Sequence, residues 1–93
     1  MPWPWLGRRK RGAGREVVLY TRRGCHLCED AWAVLDRARQ RHGFTLRCVD
    51  IDTDPELVAR YGLEVPVVAV DERVYFRGAV NPVLLERLFR GGE

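Results

Sequence analysis

Residues 16–20, EVVLY, set the tightest limit on what this chain can fold into. Val17, Val18, Leu19 and Tyr20 follow one another with no polar residue between them. A strand with one face in water alternates apolar and polar side chains, whereas a strand covered on both faces does not need to. The run therefore reads as a strand buried on both sides. The next four residues, TRRG, turn the chain.

A helical pattern follows over residues 26–42. Cys28, Ala31, Leu35 and Ala38 recur at helical spacing and should face the core. Glu29 and Asp30 lie in the first turn, and Arg37, Arg39 and Arg41 towards the last, so both ends complement the helix dipole. Gly43 is placed to cap the C-terminus. In FTLRCVDI, residues 44–51, Phe44, Leu46 and Cys48 alternate with Thr45 and Arg47. That is a half-buried strand nearer the sheet edge, with Cys48 expected as a small buried hydrophobe.

Asp54 and Pro55 start a short helix over residues 55–61, and Gly62 stops it. EVPVVAV is a further strand. Asp71, Glu72 and Arg73 form a tight turn, and VYFR returns as the second arm of a hairpin. Asn81 and Pro82 open a last helix with Val83, Leu84, Leu85, Leu88 and Phe89 as its apolar residues, ended by Gly91 and Gly92. The order is β-α-β-α-β-β-α, an α/β fold. Its first half is a βαβ unit, whose strands should be parallel with a right-handed crossover.

The 93 residues suffice for one domain with one modest core. Five of the sixteen basic residues, Arg8, Arg9, Lys10, Arg11 and Arg15, lie in residues 1–15, which hold no acid; the rest carries eleven basic and thirteen acidic residues. The chain thus divides into a basic tail, 1–15, and a domain, 16–93. The tail's Pro, Gly and Arg cannot build a core, so a solvated, disordered arm is expected there. Contact with nucleic acid or anionic lipid is the alternative for this arm. No apolar run approaches the roughly 20 residues of a membrane span, and the tail does not read as a secretory signal. Three cysteines do not make a secreted disulfide framework. The expected compartment is the reducing cytoplasm, where a CxxC points to redox chemistry or metal.

That CxxC is Cys25-His26-Leu27-Cys28, at the point where the buried strand hands over to the helix. Cys25 falls at the helix N-terminus, where unpaired N–H groups and the positive end of the dipole favour a thiolate. Arg22 and Arg23 add positive charge, and His26 adds more when protonated. Cys25 should therefore be exposed and nucleophilic, and Cys28, one turn inside, shielded and resolving. Zinc would need a second ligand pair, and only Cys48, His26 and His42 are spare. A regulatory thiol is the alternative for Cys48. His42 is expected to cap the helix end. Trp32 is either core or rim packing, or a shield or docking surface beside the site. In DIDTDPE the acids alternate, but Pro55 and Tyr61 stand where a calcium loop needs Gly and Glu, so strand end and helix cap explain them.

VVLYTRRGCHLC, VDIDTDPELVARYGLEVPVV and the closing hairpin plus helix resemble a glutaredoxin of the thioredoxin superfamily, most of all the compact bacterial glutaredoxin-like type. The resemblance spans about residues 16–89. It implies a thioredoxin-like fold with a four-stranded mixed sheet and helices on both faces. It also implies a cis peptide at Val65–Pro66, with the Val65 backbone pairing with a substrate's extended chain and Arg22 meeting a glutathione carboxylate. His26 and Leu27 replace the family's proline and aromatic between the cysteines. FRGAVN stands near its Gly-Gly-acidic segment, about two residues too far from Pro66.

The implied activity is dithiol thiol–disulfide exchange through Cys25 and Cys28 on protein or glutathione mixed disulfides. Arg22, Arg23, His26, Val65 and Pro66 form the substrate site. The implied protein acts as a monomer with no metal, no bound cofactor and no nucleic-acid partner, and takes glutathione or a similar small thiol as co-substrate. Two readings stand beside this one: a thioredoxin-fold interaction module with idle cysteines, and metal or iron–sulfur binding through the CxxC.

Overall fold

The computed structural model describes residues 14–90, and the expectations for residues 1–13 and for Gly91 and Gly92 lie outside them. Four strands, β1 (Glu16–Thr21), β2 (Thr45–Asp50), β3 (Val67–Val70) and β4 (Arg73–Arg77), form one sheet in the order β2-β1-β3-β4. β1 and β2 are parallel, joined through α1 (His26–His42); β1 pairs antiparallel with β3, and β3 with β4. α2 (Pro55–Tyr61) precedes β3, and α3 (Pro82–Arg90) closes the described chain. This is the expected mixed four-stranded sheet, with β2 at its edge.

β1 is buried on both faces, as its unbroken apolar run requires. Val17 and Leu19 join Ala31, Leu35 and Ala38 of α1 and Leu85 and Phe89 of α3 in the larger core cluster. Tyr20, from the opposite parity, packs with Ile51, Tyr61, Val67, Leu57 and Val58 in a smaller cluster under α2. Two-residue alternation along a strand sends neighbours to opposite faces, so one apolar run serves both clusters. α1 ends on Gly43, whose left-handed φ of 81° lets its N–H reach Arg39 O at 2.8 Å.

Three details depart from the sequence reading. The hairpin turn is Asp71–Glu72 alone, with φ of 51° and 72°, and Arg73 already belongs to β4. Two-residue hairpins need positive φ at both central positions to match strand twist. Residues 51–53 form a 3-10 turn capped by Asp50, whose Oδ1 accepts from Asp52 N at 2.9 Å. Cys48 is exposed rather than buried. It shares the parity of Leu46, which reaches the larger cluster, but it lies farther along an edge strand, beyond the cover of that cluster.

Arg15, counted with the tail in the sequence, is tied to the domain. Its Nε donates to Asp71 Oδ2 at 2.8 Å, and Glu16 N donates to Asp71 Oδ1 at 3.0 Å. These two contacts hold Asp71 below the usual carboxylate range, the backbone hydrogen bond from Glu16 contributing most.

Candidate active site

The register gathers one end of the sheet. Thr21 pairs with Asp50, and Tyr20 with Val67, so the chain leaving β1, the turn after β2 and the residues entering β3 all meet there. Gly78 arrives at the same end after β4. Its N–H donates to Pro66 O at 2.8 Å and to Glu64 O at 2.9 Å.

Cys25 is the N-cap of α1, with extended φ and ψ of −97° and 104°. A disulfide joins it to Cys28, their Cα atoms 5.2 Å apart, inside the range such a bond allows. Cys28 N donates to Cys25 Sγ at 3.1 Å, and Glu29 N to Cys25 O at 3.3 Å. One of the free N–H groups of the first turn, that of Cys28, is thus turned towards the sulfur of residue 25. Cys25 is half-buried, whereas Cys28 is only 5% exposed. His26 and Leu27 stand out into solvent between them. His26 Nδ1 lies 3.9 Å from Glu29 Oε1.

Arg22 does something the sequence did not show. Its Nη2 donates to Asp52 Oδ1 at 2.8 Å, its Nε to the two carboxylate oxygens at 3.2 and 3.3 Å, and its Nη1 to Gly62 O at 3.1 Å. One guanidinium therefore braces the loop before the cysteines against both the turn after β2 and the end of α2. A bidentate fork suits this task, as a lysine would not. The hydrogen bond to Asp52 raises the arginine's pKa and lowers that of the aspartate. Residue 62 itself has no room for a side chain, since a Cβ there would come 2.5 Å from Val58 O. Arg23, by contrast, is exposed and makes no ion pair among the described residues.

The Val65–Pro66 peptide is cis, as the resemblance implied, and Pro66 is fully buried at the entry to β3. β2 and β3 flank β1 on opposite sides, so Pro66 belongs to one flank of the site. The other flank holds a cavity of about 330 Å³ lined by Leu19, Thr21, Arg22, Arg23, Gly24, Cys25, Cys28, Glu29, Trp32 and Cys48.

Sequence reasoning missed the place of Cys48 in this wall. The signal was the parallel register, which sets Cys48 beside Leu19 at the level of the cysteine pair. Burial raises its thiol pKa even though the residue is exposed, because part of the side chain lines the cavity wall. Trp32, 44% exposed, is a rim residue of the same cavity.

His42 lies at the far end of α1, where its Nε2 is 2.9 Å from Glu86 Oε1 and its ring stacks on Phe89. Among the described residues no group of three or more His, Cys, Asp or Glu is arranged to hold a metal ion. No described helix is long and apolar enough to cross a membrane.

Residues 16–89 match the family model of the glutaredoxin-like domain (DUF836). The chain belongs to that glutaredoxin-like family. Among solved structures it is similar to protein Ne2328 from Nitrosomonas europaea, at 27% identity over 81% of this chain and 91% of that one, with a TM-score of 0.71. Protein XcR50 from X. campestris is 30% identical over 83% of this chain and 99% of that one, with a TM-score of 0.68. A mutant thioredoxin from Halobacterium salinarum, 17% identical over 85% of this chain and 74% of that one, shares the fold with a TM-score of 0.65. Among curated proteins, none matches the sequence. The family and these neighbours establish a glutaredoxin-like protein with a thioredoxin-like fold and a CxxC at the start of its first helix.

Proposed function

We propose that this protein is a dithiol thiol–disulfide oxidoreductase working through Cys25 and Cys28. The observation that carries this reading is the asymmetry of the pair. Cys25 is accessible, with a helix N–H directed at its sulfur, and Cys28 is shielded one turn deeper. A thiolate at such a position is stabilised by N–H groups and dipole together.

In the reduced protein the Cys25 thiolate attacks one sulfur of a substrate disulfide. A Cys25–substrate bond forms, the substrate S–S bond breaks, and the other half leaves as a thiolate. Cys28 then loses its proton to solvent and attacks Cys25 Sγ. The Cys25–Cys28 bond forms and the second substrate thiolate leaves, so the substrate gains two electrons and the protein loses two. Two molecules of a small thiol of glutathione type restore the dithiol and leave as their own disulfide.

Val65, beside Pro66, offers backbone to an extended substrate chain. Arg23 and His26 supply exposed polar groups, and Arg22 holds the loop that presents Cys25. The exchange needs no bound metal or organic cofactor. It suits a monomer in the reducing cytoplasm, with disulfide-bearing proteins as substrates.

Intact mass after mixing with a small disulfide tests this reading, in a Cys48→Ser background so that only the pair reports. Cys28→Ser should hold one stable adduct on Cys25, and Cys25→Ser should hold none. Absence of an adduct in both variants would leave an interaction module with idle cysteines.

A further inference from the structure

Arg22 and Arg23 both line the cavity beside the disulfide, and they differ in what holds them. Arg23 is exposed, so an ion pair to it competes with water and contributes little. Arg22 is the more shielded of the two, and a forked guanidinium beside a reactive thiol is a ready receptor for a ligand carboxylate. Here that receptor is already filled. Asp52 takes Nη2 at 2.8 Å and Nε at 3.2 and 3.3 Å, and Gly62 O takes Nη1 at 3.1 Å.

Asp52 is itself held in place. Its N–H donates to Asp50 Oδ1 at 2.9 Å, Thr53 Oγ1 donates to Asp50 O at 2.7 Å, and Ile51 beside it is buried in the smaller cluster. A fixed turn therefore presents the carboxylate. The other end of the brace leads to the substrate side, since Gly62 lies three residues before Val65. Glu64 O and Pro66 O both accept from Gly78 N, whereas Val65 between them makes no backbone hydrogen bond among the described residues. An N–H and a C=O left over at a half-buried residue suit an extended chain laid alongside.

We propose that Asp52 is a positioning residue that sets the substrate class. Through Arg22 it denies the site its stronger carboxylate receptor and fixes the Cys25 loop against the Val65 loop, so the protein favours disulfides in extended polypeptide over small acidic disulfides. The inference rests on the oxidoreductase reading and narrows its substrate. Breaking the pair should have two opposite effects. A freed Arg22 meets a ligand carboxylate, while a released Cys25 loop no longer lines up with Val65. A loss of stability alone would instead lower every rate together.

The test is single-turnover oxidation of the pre-reduced full chain, carrying Cys48→Ser, by three disulfides: a disulfide-linked pair of uncharged extended peptides, dithiodipropionate (anionic) and hydroxyethyl disulfide (neutral and small). In each case the probe's S–S bond breaks, its two halves leave as thiols and the Cys25–Cys28 bond closes, so the probe gains the two electrons that the protein loses. Each rate is divided by the same probe's rate with dithiothreitol, which removes intrinsic reactivity, and then by the value for hydroxyethyl disulfide.

The parent should favour the peptide. Asp52→Ala should raise the dithiodipropionate value about three- to tenfold, as one partly shielded ion pair would, and lower the peptide value about tenfold through misalignment. Arg22→Gln should lower the peptide value without raising the other. Asp52→Glu should keep the parent's order. Values unchanged in Asp52→Ala would overturn the proposal, as would a uniform fall of all three rates or a dithiodipropionate gain that Arg22→Gln shares. Rates no higher than those of dithiothreitol with all three probes would remove the oxidoreductase reading, and this role with it.

Discussion

Two arginines adjacent in the chain have different work because of one distant acid. Arg22 and Asp52 are 30 residues apart, and only the parallel pairing of β1 with β2 brings them together. The sequence resemblance gave Arg22 a ligand's carboxylate; the structure supplies Asp52 as a carboxylate from within. Each aspartate of DIDTDPE has its own task, as strand-end and helix-cap logic anticipated for two of them. Asp50 accepts from the Asp52 N–H of the 3-10 turn, Asp54 caps α2 through Glu56 N at 2.9 Å, and Asp52 pairs with Arg22. Capping is legible because it acts over two or three residues. The Arg22–Asp52 pair was not, because it exists only in the assembled sheet.

The Asp52 pair also makes a pH prediction. The folded-state pKa of Asp52 is lowered, chiefly by the hydrogen bond from Arg22. Its contribution to stability is therefore present above the unfolded value near ~3.9 and lost as pH falls through the lower folded value. Asp52→Asn should lower the melting temperature at neutral pH, and the gap from the parent should close in acid below that window. Thermal melts of both proteins across pH measure it. A gap independent of pH would assign the loss to something other than the charge.

At the scale of elements, helix α1 and the two short strands β3 and β4 were legible for different reasons. α1 repeats its apolar positions over 17 residues and has a glycine at its end, so local signals agree with each other. The hairpin was legible from two apolar runs close together, but its turn was read one residue too long. Asp-Glu-Arg has no glycine to mark the positive-φ positions that a two-residue turn needs. Asp71 at φ 51° is compensated by its hydrogen bonds to Arg15 and Glu16. Glu72 at φ 72° has no such contact among the described residues.

Left-handed backbone costs an ordinary residue about 1–2 kcal/mol. The extra freedom of glycine in the unfolded chain takes back roughly 0.5–1 kcal/mol. Glu72→Gly should therefore stabilise the protein by about 0.5–1 kcal/mol in urea unfolding, with an unchanged dependence on denaturant. A loss of stability would mean that the Glu72 side chain contributes more than its backbone costs.

Over the whole molecule, the fold follows from a single requirement. EVVLY must be covered on both faces, and α1 with α3 covers one while α2 covers the other. That requirement was readable from four consecutive apolar side chains. The same arrangement decides where chemistry can occur. The strand delivers Cys25 to the mouth of α1, and burying the inner face of that helix shields Cys28. What the sequence could not show was how far cover extends at the edge. α1 covers Leu46 but leaves Cys48 at the cavity, and no pattern along β2 distinguishes the two positions.

The central claim is that the helix start makes Cys25 the reactive thiol of the three. Alkylation of the fully reduced protein, followed by mass mapping of each cysteine across pH, tests it most directly. Cys25 should be modified first, with a midpoint well below the ~8.5 of a free thiol, and Cys48, whose thiol burial raises, should lag at every neutral pH. A Cys25 midpoint at or above ~8.5, or Cys48 reacting first, would contradict the account.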